Sequence, residues 1–154
     1  RVRKATRLFV MPKLSPNVTD VVTIAKAARD GGANALSLIN TLVGLGVDAN
    51  KRIPRISTVQ AGLSGPAIKP VALRMVWQVH RALPKMPLVG LGGIMNATDA
   101  TEFLLCGASA VQVGTANYVN PNVSMEIVKG LEQFCKKQKI RRVSQVTGKL
   151  RWKK

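Results

Sequence analysis

Four alternating strand and helix patterns, two internal echoes and polar or glycine residues at every strand end predict an α/β protein built on a parallel sheet. Gly32-Ala33-Asn34-Ala35-Leu36 returns as Gly107-Ala108-Ser109-Ala110-Val111, each joining a helix to a buried strand. The helix starts Asn17-x-x-Asp20 and Asn96-x-x-Asp99 also match. Four such units fit an open α/β sheet or half of an eight-stranded barrel, and in both the ligand face lies at the carboxyl ends of the strands.

The first strand pattern is the apolar run from Leu8 to Leu14, ended by Ser15-Pro16. Asn17 is the expected cap of the next helix, with Asp20 in the first turn where the dipole favours an acid. Val21, Ile24, Ala25 and Ala28 recur at helical spacing until Gly31-Gly32, and Ala35 to Thr41 forms the second strand pattern. A long connection from Leu42 to Leu63 is broken by Gly44, Gly46 and Pro54, and its length marks it as a lid or binding loop. It leads into Gly62-Leu63-Ser64-Gly65-Pro66-Ala67-Ile68-Lys69-Pro70. Here Gly62 and Gly65 are expected to let a ligand approach the main chain, while the prolines stiffen the entry to a helix over 69–83. Pro87 to Gly93 is the third strand, followed by a short helix to Cys106; Ala110 to Thr115 is the fourth, and a last helix runs over 123–137.

With 154 residues, 46% of them apolar, the chain can bury a core of its own. It has no run near the roughly 18 apolar residues of a membrane span and no apolar signal core, so a soluble protein without membrane contact is expected. Arg1 rather than Met at the first position points to a processed product or part of a longer chain. Cys106 and Cys135 are far apart and read as buried thiols in a reducing compartment; the single histidine, His80, rules out a histidine triad or a multi-histidine metal site. The net charge of +17 is concentrated at the ends: residues 1–13 carry five basic groups and residues 133–154 nine, without an acid in either, which leaves +3 for the body. Such ends suit a polyanion, nucleic acid included, although only Trp152 interleaves an aromatic ring with the basic run of the carboxyl-terminal tail.

The strand ends carry the chemistry. Gly92-Gly93 and Gly114-Thr115 close two successive strands, where main-chain N–H groups can cradle a phosphate. Lys13 is a lone cation suited to developing negative charge, and Asn40 and Thr41 offer donors and acceptors to a flat polar ring.

Taken together, Lys13 to Asp20, Ser37 to Thr41, Gly62 to Pro70, Gly90 to Ile94 and Val111 to Asn117 resemble the class 1B dihydroorotate dehydrogenases. The resemblance runs nearly end to end and covers the carboxyl-terminal half of that family's TIM (β/α)₈ barrel, four βα units corresponding to strands 5–8. Together with the charge distribution it divides the chain into a basic N-terminal segment and first strand over 1–13, a half-barrel FMN-binding region over 14–134 and a basic C-terminal tail over 135–154, the acid-free ends being atypical of that family. It further implies oxidation of dihydroorotate to orotate in pyrimidine biosynthesis with FMN as cofactor. Lys13, Ile39, Gly65, Gly92, Gly93, Gly114 and Thr115 would contact FMN, with Lys13 assisting flavin reduction, and Asn40 and Thr41 would contact the orotate ring. No metal site is implied. The implied partners are the missing barrel half or a second copy, and an FAD/iron–sulfur electron-transfer subunit; the implied location is cytoplasmic. The family's catalytic cysteine base falls outside the part resembled, and neither Cys106 nor Cys135 stands at an equivalent position. Pro12 takes the place of an apolar strand residue and removes a donor beside Lys13. The alternative is a barrel fragment recruited as an RNA-binding or structural part of a ribonucleoprotein, in an organellar matrix, held by its basic ends.

Overall fold

The computed structural model describes residues 1–152. A parallel four-stranded sheet is formed by β1 (Lys13–Leu14), β2 (Leu36–Leu38), β7 (Leu88–Leu91) and β8 (Ala110–Gln112), side by side in chain order. Between them run α2 (Val21–Asp30), α3 (Lys69–Ala82) and α4 (Ala97–Leu105), and the short α5 (Ala116–Val119) and then α6 (Val123–Lys137) follow the last strand. Sequential parallel strands with helical crossovers are four units of a (β/α) barrel, left open at both edges.

Alternation along the strands separates two faces. Leu14, Leu36, Leu38, Leu88 and Gly90 are buried beneath the helices with Val76, Val79 and Phe103, and each fully buried leucine contributes about 1.5–3 kcal/mol. Lys13, Ser37, Val89 and Ala110 share one register row on the opposite face. Lys13 and Ala110, at its two ends, are exposed.

The first strand is shorter than the apolar run predicts. Leu8 and Phe9 are 76% and 70% exposed, because this strand lies at the sheet's outer edge with a neighbour on one side only. Before it, α1 (Val2–Ala5) places Arg3 to donate to Asn34 Oδ1 and to the Thr6 and Leu8 carbonyls. Pro12 does not displace Lys13. Proline loses its N–H but keeps its carbonyl, which accepts from Ser37 N–H at 3.0 Å, while Val10 and Leu14 accept from Asn34 and Asn40. Lys13 therefore enters the ladder opposite Ser37.

The cap of α2 is Asp20 rather than Asn17: its carboxylate accepts from Val22 N–H at 2.8 Å and from the Thr23 hydroxyl at 2.6 Å. Those two bonds, the hydroxyl first, hold the Asp20 carboxyl below the ordinary aspartate range. Such a group stabilises the fold above its ordinary value and ceases to do so as pH falls through the lowered one. The thermal midpoint of Asp20→Ala is therefore expected to lie below that of the parent at pH 7, with the gap closing below about pH 4. A gap that persisted at pH 2 would contradict the assignment.

The connection over 42–63 is folded. β3 (Leu42–Leu45) pairs antiparallel with β6 (Gln60–Leu63), and β4 (Val47–Asp48) with β5 (Ile53–Pro54), giving a projecting arm that exposes Val43, Leu45, Val47 and Ile53. Asn17 braces its root by accepting from Val43 N–H and donating to the Thr41 carbonyl, both at 2.9 Å.

The basic carboxyl-terminal segment packs back on the body. A 3-10 turn at Val143–Gln145 is followed by bonds from Gly148 and Leu150 N–H to the Leu104 and Leu105 carbonyls. Trp152 meets Trp77 edge-on at 6.4 Å, with the Arg81 guanidinium over both rings. Lys153 and Lys154, also part of the basic tail, lie outside the described residues. Among the described residues no helix is long and apolar enough to cross a membrane.

Candidate functional site

The carboxyl ends of the four strands converge on one cleft of about 130 Å³. Lys13 lines it from β1, and Ile39, Asn40 and Thr41 follow β2. Gly92 and Gly93 follow β7, and Gly114 and Thr115 follow β8. Gly65 comes from the turn before α3, so the nine residues to which the resemblance gives a cofactor or substrate contact meet here. Ser64, Ile68, Met95 and Gln112 also line the cleft without having been anticipated; each adjoins a motif residue in the chain or in the ladder, which was the available signal.

The glycines differ in what they do. A Cβ on Gly92 would meet Ala72 Cβ at 2.9 Å, and one on Gly93 would meet the Gly65 carbonyl at 2.8 Å and Lys69 N at 3.0 Å. Both have positive φ, 128° and 78°, so this loop takes a path closed to side chains. A Cβ on Gly114 would meet nothing within 4 Å. Gly62 does not line the cleft. A Cβ there would collide with the Thr41 side chain, so its hydrogen makes room for that threonine instead.

The N–H groups of Gly92, Gly93, Gly114 and Thr115 lack an acceptor among the described residues. Four unpaired main-chain donors on two adjacent strand ends form a donor set that fits a phosphate. The Thr115 hydroxyl donates to Ser64 Oγ at 3.1 Å, tying the turn before α3 to this loop. On the other side, Asn40 Oδ1 accepts from Thr41 N–H at 2.8 Å, which leaves the Asn40 amide as the free donor.

Behind the cleft, Lys69 meets two carboxylates. Its Nζ lies 2.5 Å from Asp99 Oδ1 and 2.8 Å from Glu102 Oε2, the second contact off the direction of a hydrogen bond. The bond to Asp99, then the Glu102 carboxylate, raises Lys69 above the ordinary amine value. A raised lysine contributes fully below its ordinary value and is lost only as pH rises through the higher one, so this cluster is unchanged through neutral pH. Burial, and then Glu102, push the Cys106 thiol up; Cys106 is buried, Cys135 half-buried, and neither lines the cleft.

A parallel half barrel whose glycine loops and polar strand ends share one cleft belongs to the class of (β/α)-barrel proteins with a ligand site on the carboxyl face. A family model described as dihydroorotate dehydrogenase matches residues 1–135. The catalytic subunit of dihydroorotate dehydrogenase B (NAD(+)) from Pelobacter propionicus is 57% identical over 148 residues, covering 96% of this chain and 48% of that protein. The corresponding subunit from Trichlorobacter lovleyi is 56% identical with the same coverage. That from Parabacteroides distasonis is 51% identical over 149 residues, 97% of this chain and 48% of that protein. This chain belongs to the dihydroorotate dehydrogenase family, and it spans about half the length of the curated relatives it matches.

Proposed function

We propose that this chain supplies the cofactor- and substrate-contacting half of an enzyme that oxidises dihydroorotate to orotate in pyrimidine biosynthesis. The observation that carries this reading is the convergence of four unpaired N–H groups, one lysine and the Asn40-Thr41 pair on a single cleft. FMN, when bound, supplies the acceptor for the substrate's hydride. Gly92, Gly93, Gly114 and Thr115 would hold its phosphate through the main chain, with Ile39 and Gly65 as further contacts. Lys13, which lines the cleft, would place its positive charge beside the flavin and favour the negative charge that the flavin gains on accepting the hydride. Asn40 and Thr41 orient the flat substrate ring.

The catalytic base comes from the barrel half outside this chain. That half, or a second copy, covers the open sheet edges and the face carrying Lys13 and Ala110. The names of the relatives, catalytic subunits of an NAD(+)-linked enzyme, support a separate electron-transfer subunit, for which FAD and an iron–sulfur centre are implied by the family resemblance alone. A cytoplasmic location goes with that assembly. The basic tail gives no support to RNA anchoring, since Trp152 is engaged by Trp77 and Arg81.

The test is the absorption spectrum of the protein in its native assembly at moderate salt. A flavin spectrum bleached by dihydroorotate is expected, and Lys13→Ala should slow the bleaching while FMN stays bound. A colourless protein carrying nucleic-acid absorbance would sink the proposal.

A further inference from the structure

Asp99 has no place in the roles assigned so far, yet its carboxylate joins three parts of the structure. Its side chain is 10% exposed and sits in the first turn of α4. Oδ1 accepts from Lys69 Nζ at 2.5 Å, and Lys69 is the first residue of α3. Oδ2 accepts from Met95 N–H at 2.8 Å, and Met95 belongs to the loop that follows β7 and lines the cleft. The Asp99 N–H is itself held by Asn96 Oδ1 at 3.0 Å.

The same loop rests directly on Lys69. A Cβ on Gly93 would stand 2.9 Å from Lys69 Cβ and 3.0 Å from Lys69 N, which leaves no slack between the loop and the start of α3. One end of the Gly92–Met95 loop is therefore seated on the lysine backbone, and the other is pulled in by a carboxylate that the lysine side chain anchors. Charge-assisted bonds are short and directional, so this brace limits the positions open to the Gly92 and Gly93 N–H groups.

We propose that Asp99, anchored by Lys69, is a positioning residue for anion recognition: it sets the Gly92-Gly93 main-chain donors for the phosphate of FMN without touching it. This rests on the FMN reading of the cleft. A brace that served folding alone would change stability and leave the discrimination between phosphorylated and unphosphorylated flavin untouched. A positioning brace changes the discrimination itself.

The experiment compares the dissociation constants of FMN and riboflavin, by quenching of flavin fluorescence, in the native assembly of the parent and of Asp99→Ala. The parent is expected to prefer FMN. In Asp99→Ala that preference should fall by about tenfold, the loss typical when a supporting partner of a binding group is removed, with riboflavin affinity little changed. Asp99→Asn, which keeps an acceptor for Met95 N–H, should recover part of it. An unchanged FMN-to-riboflavin ratio beside a lowered thermal midpoint would overturn the positioning role and leave the FMN reading intact. A parent that binds neither flavin, or binds both equally, would overturn the phosphate reading and the positioning role with it. Should Asp99→Ala fail to fold, Lys69→Met carries the test: its ratio must fall in the same direction, and an unchanged one overturns the proposal.

Discussion

Replacing Gly93 by alanine is expected to lower FMN affinity by about 100-fold or more while the sheet and helices stay folded. Gly93 has a φ of 78°, where an L side chain costs about 1–2 kcal/mol before any contact is counted. Its neighbours cannot give way, because the added methyl would face the Gly65 carbonyl and the Lys69 backbone rather than the ends of flexible chains. The loop must therefore move, by several tenths of an ångström at least, and it carries two of the four unpaired donors. The loop lies outside the strand ladders and meets α3 only at its first turn, so the sheet pairing is left intact and the damage stays local. Fluorescence titration with FMN below the unfolding transition, beside far-ultraviolet circular dichroism, measures both halves of the prediction. Parent-like FMN affinity in Gly93→Ala would show that the loop does not hold the phosphate.

Phe103→Ala should cost about 3–5 kcal/mol of stability. Phe103 is fully buried in α4, and its Cδ1 lies 2.5 Å from where a Cβ on Gly90 would stand. The ring thus occupies space left by a glycine in the middle of β7, and its removal opens a cavity that the flat strand cannot refill. Against a total of about 5–15 kcal/mol for an ordinary domain, this is a large fraction. Urea unfolding with an unchanged slope measures it, and a loss below about 1 kcal/mol would mean that the helix settles onto the sheet. Gly90→Ala should destabilise the parent and cost less in the Phe103→Ala background, since the two changes compete for the same volume.

What was legible in the sequence was whatever is written in local periodicity and at strand ends. The last helix has the bounds that its apolar spacing predicts, 123–137, and the glycine pairs stand where successive strands stop. What was not legible depends on partners distant along the chain. Asp20 rather than Asn17 caps α2, because Asn17 is drawn off by Thr41 and Val43, some 24 and 26 residues on. The arm looked like a loop because Leu42–Leu45 and Gln60–Leu63 carry glycine and few β-branched residues, so their pairing is visible only across the hairpin. The Lys69–Asp99 brace spans 30 residues and has no periodic signature. Gly62 misled for a different reason: a glycine that accommodates a ligand and one that accommodates a neighbouring threonine look alike until the neighbour is known.

That glycine ties the register of the arm to two residues at the edge of the cleft. Thr41 and Ser64 both line the cleft, each one step outside the Leu42–Leu63 pair of the arm. Sliding β6 by one residue would bring Ala61 or Leu63 under the Thr41 side chain, where only a hydrogen fits, and would turn every side chain of the strand over. Intermediate spacings do not exist for a paired ribbon. The arm thus acts as a ratchet with one permitted tooth, and its register is stored in the absence of a single methyl group.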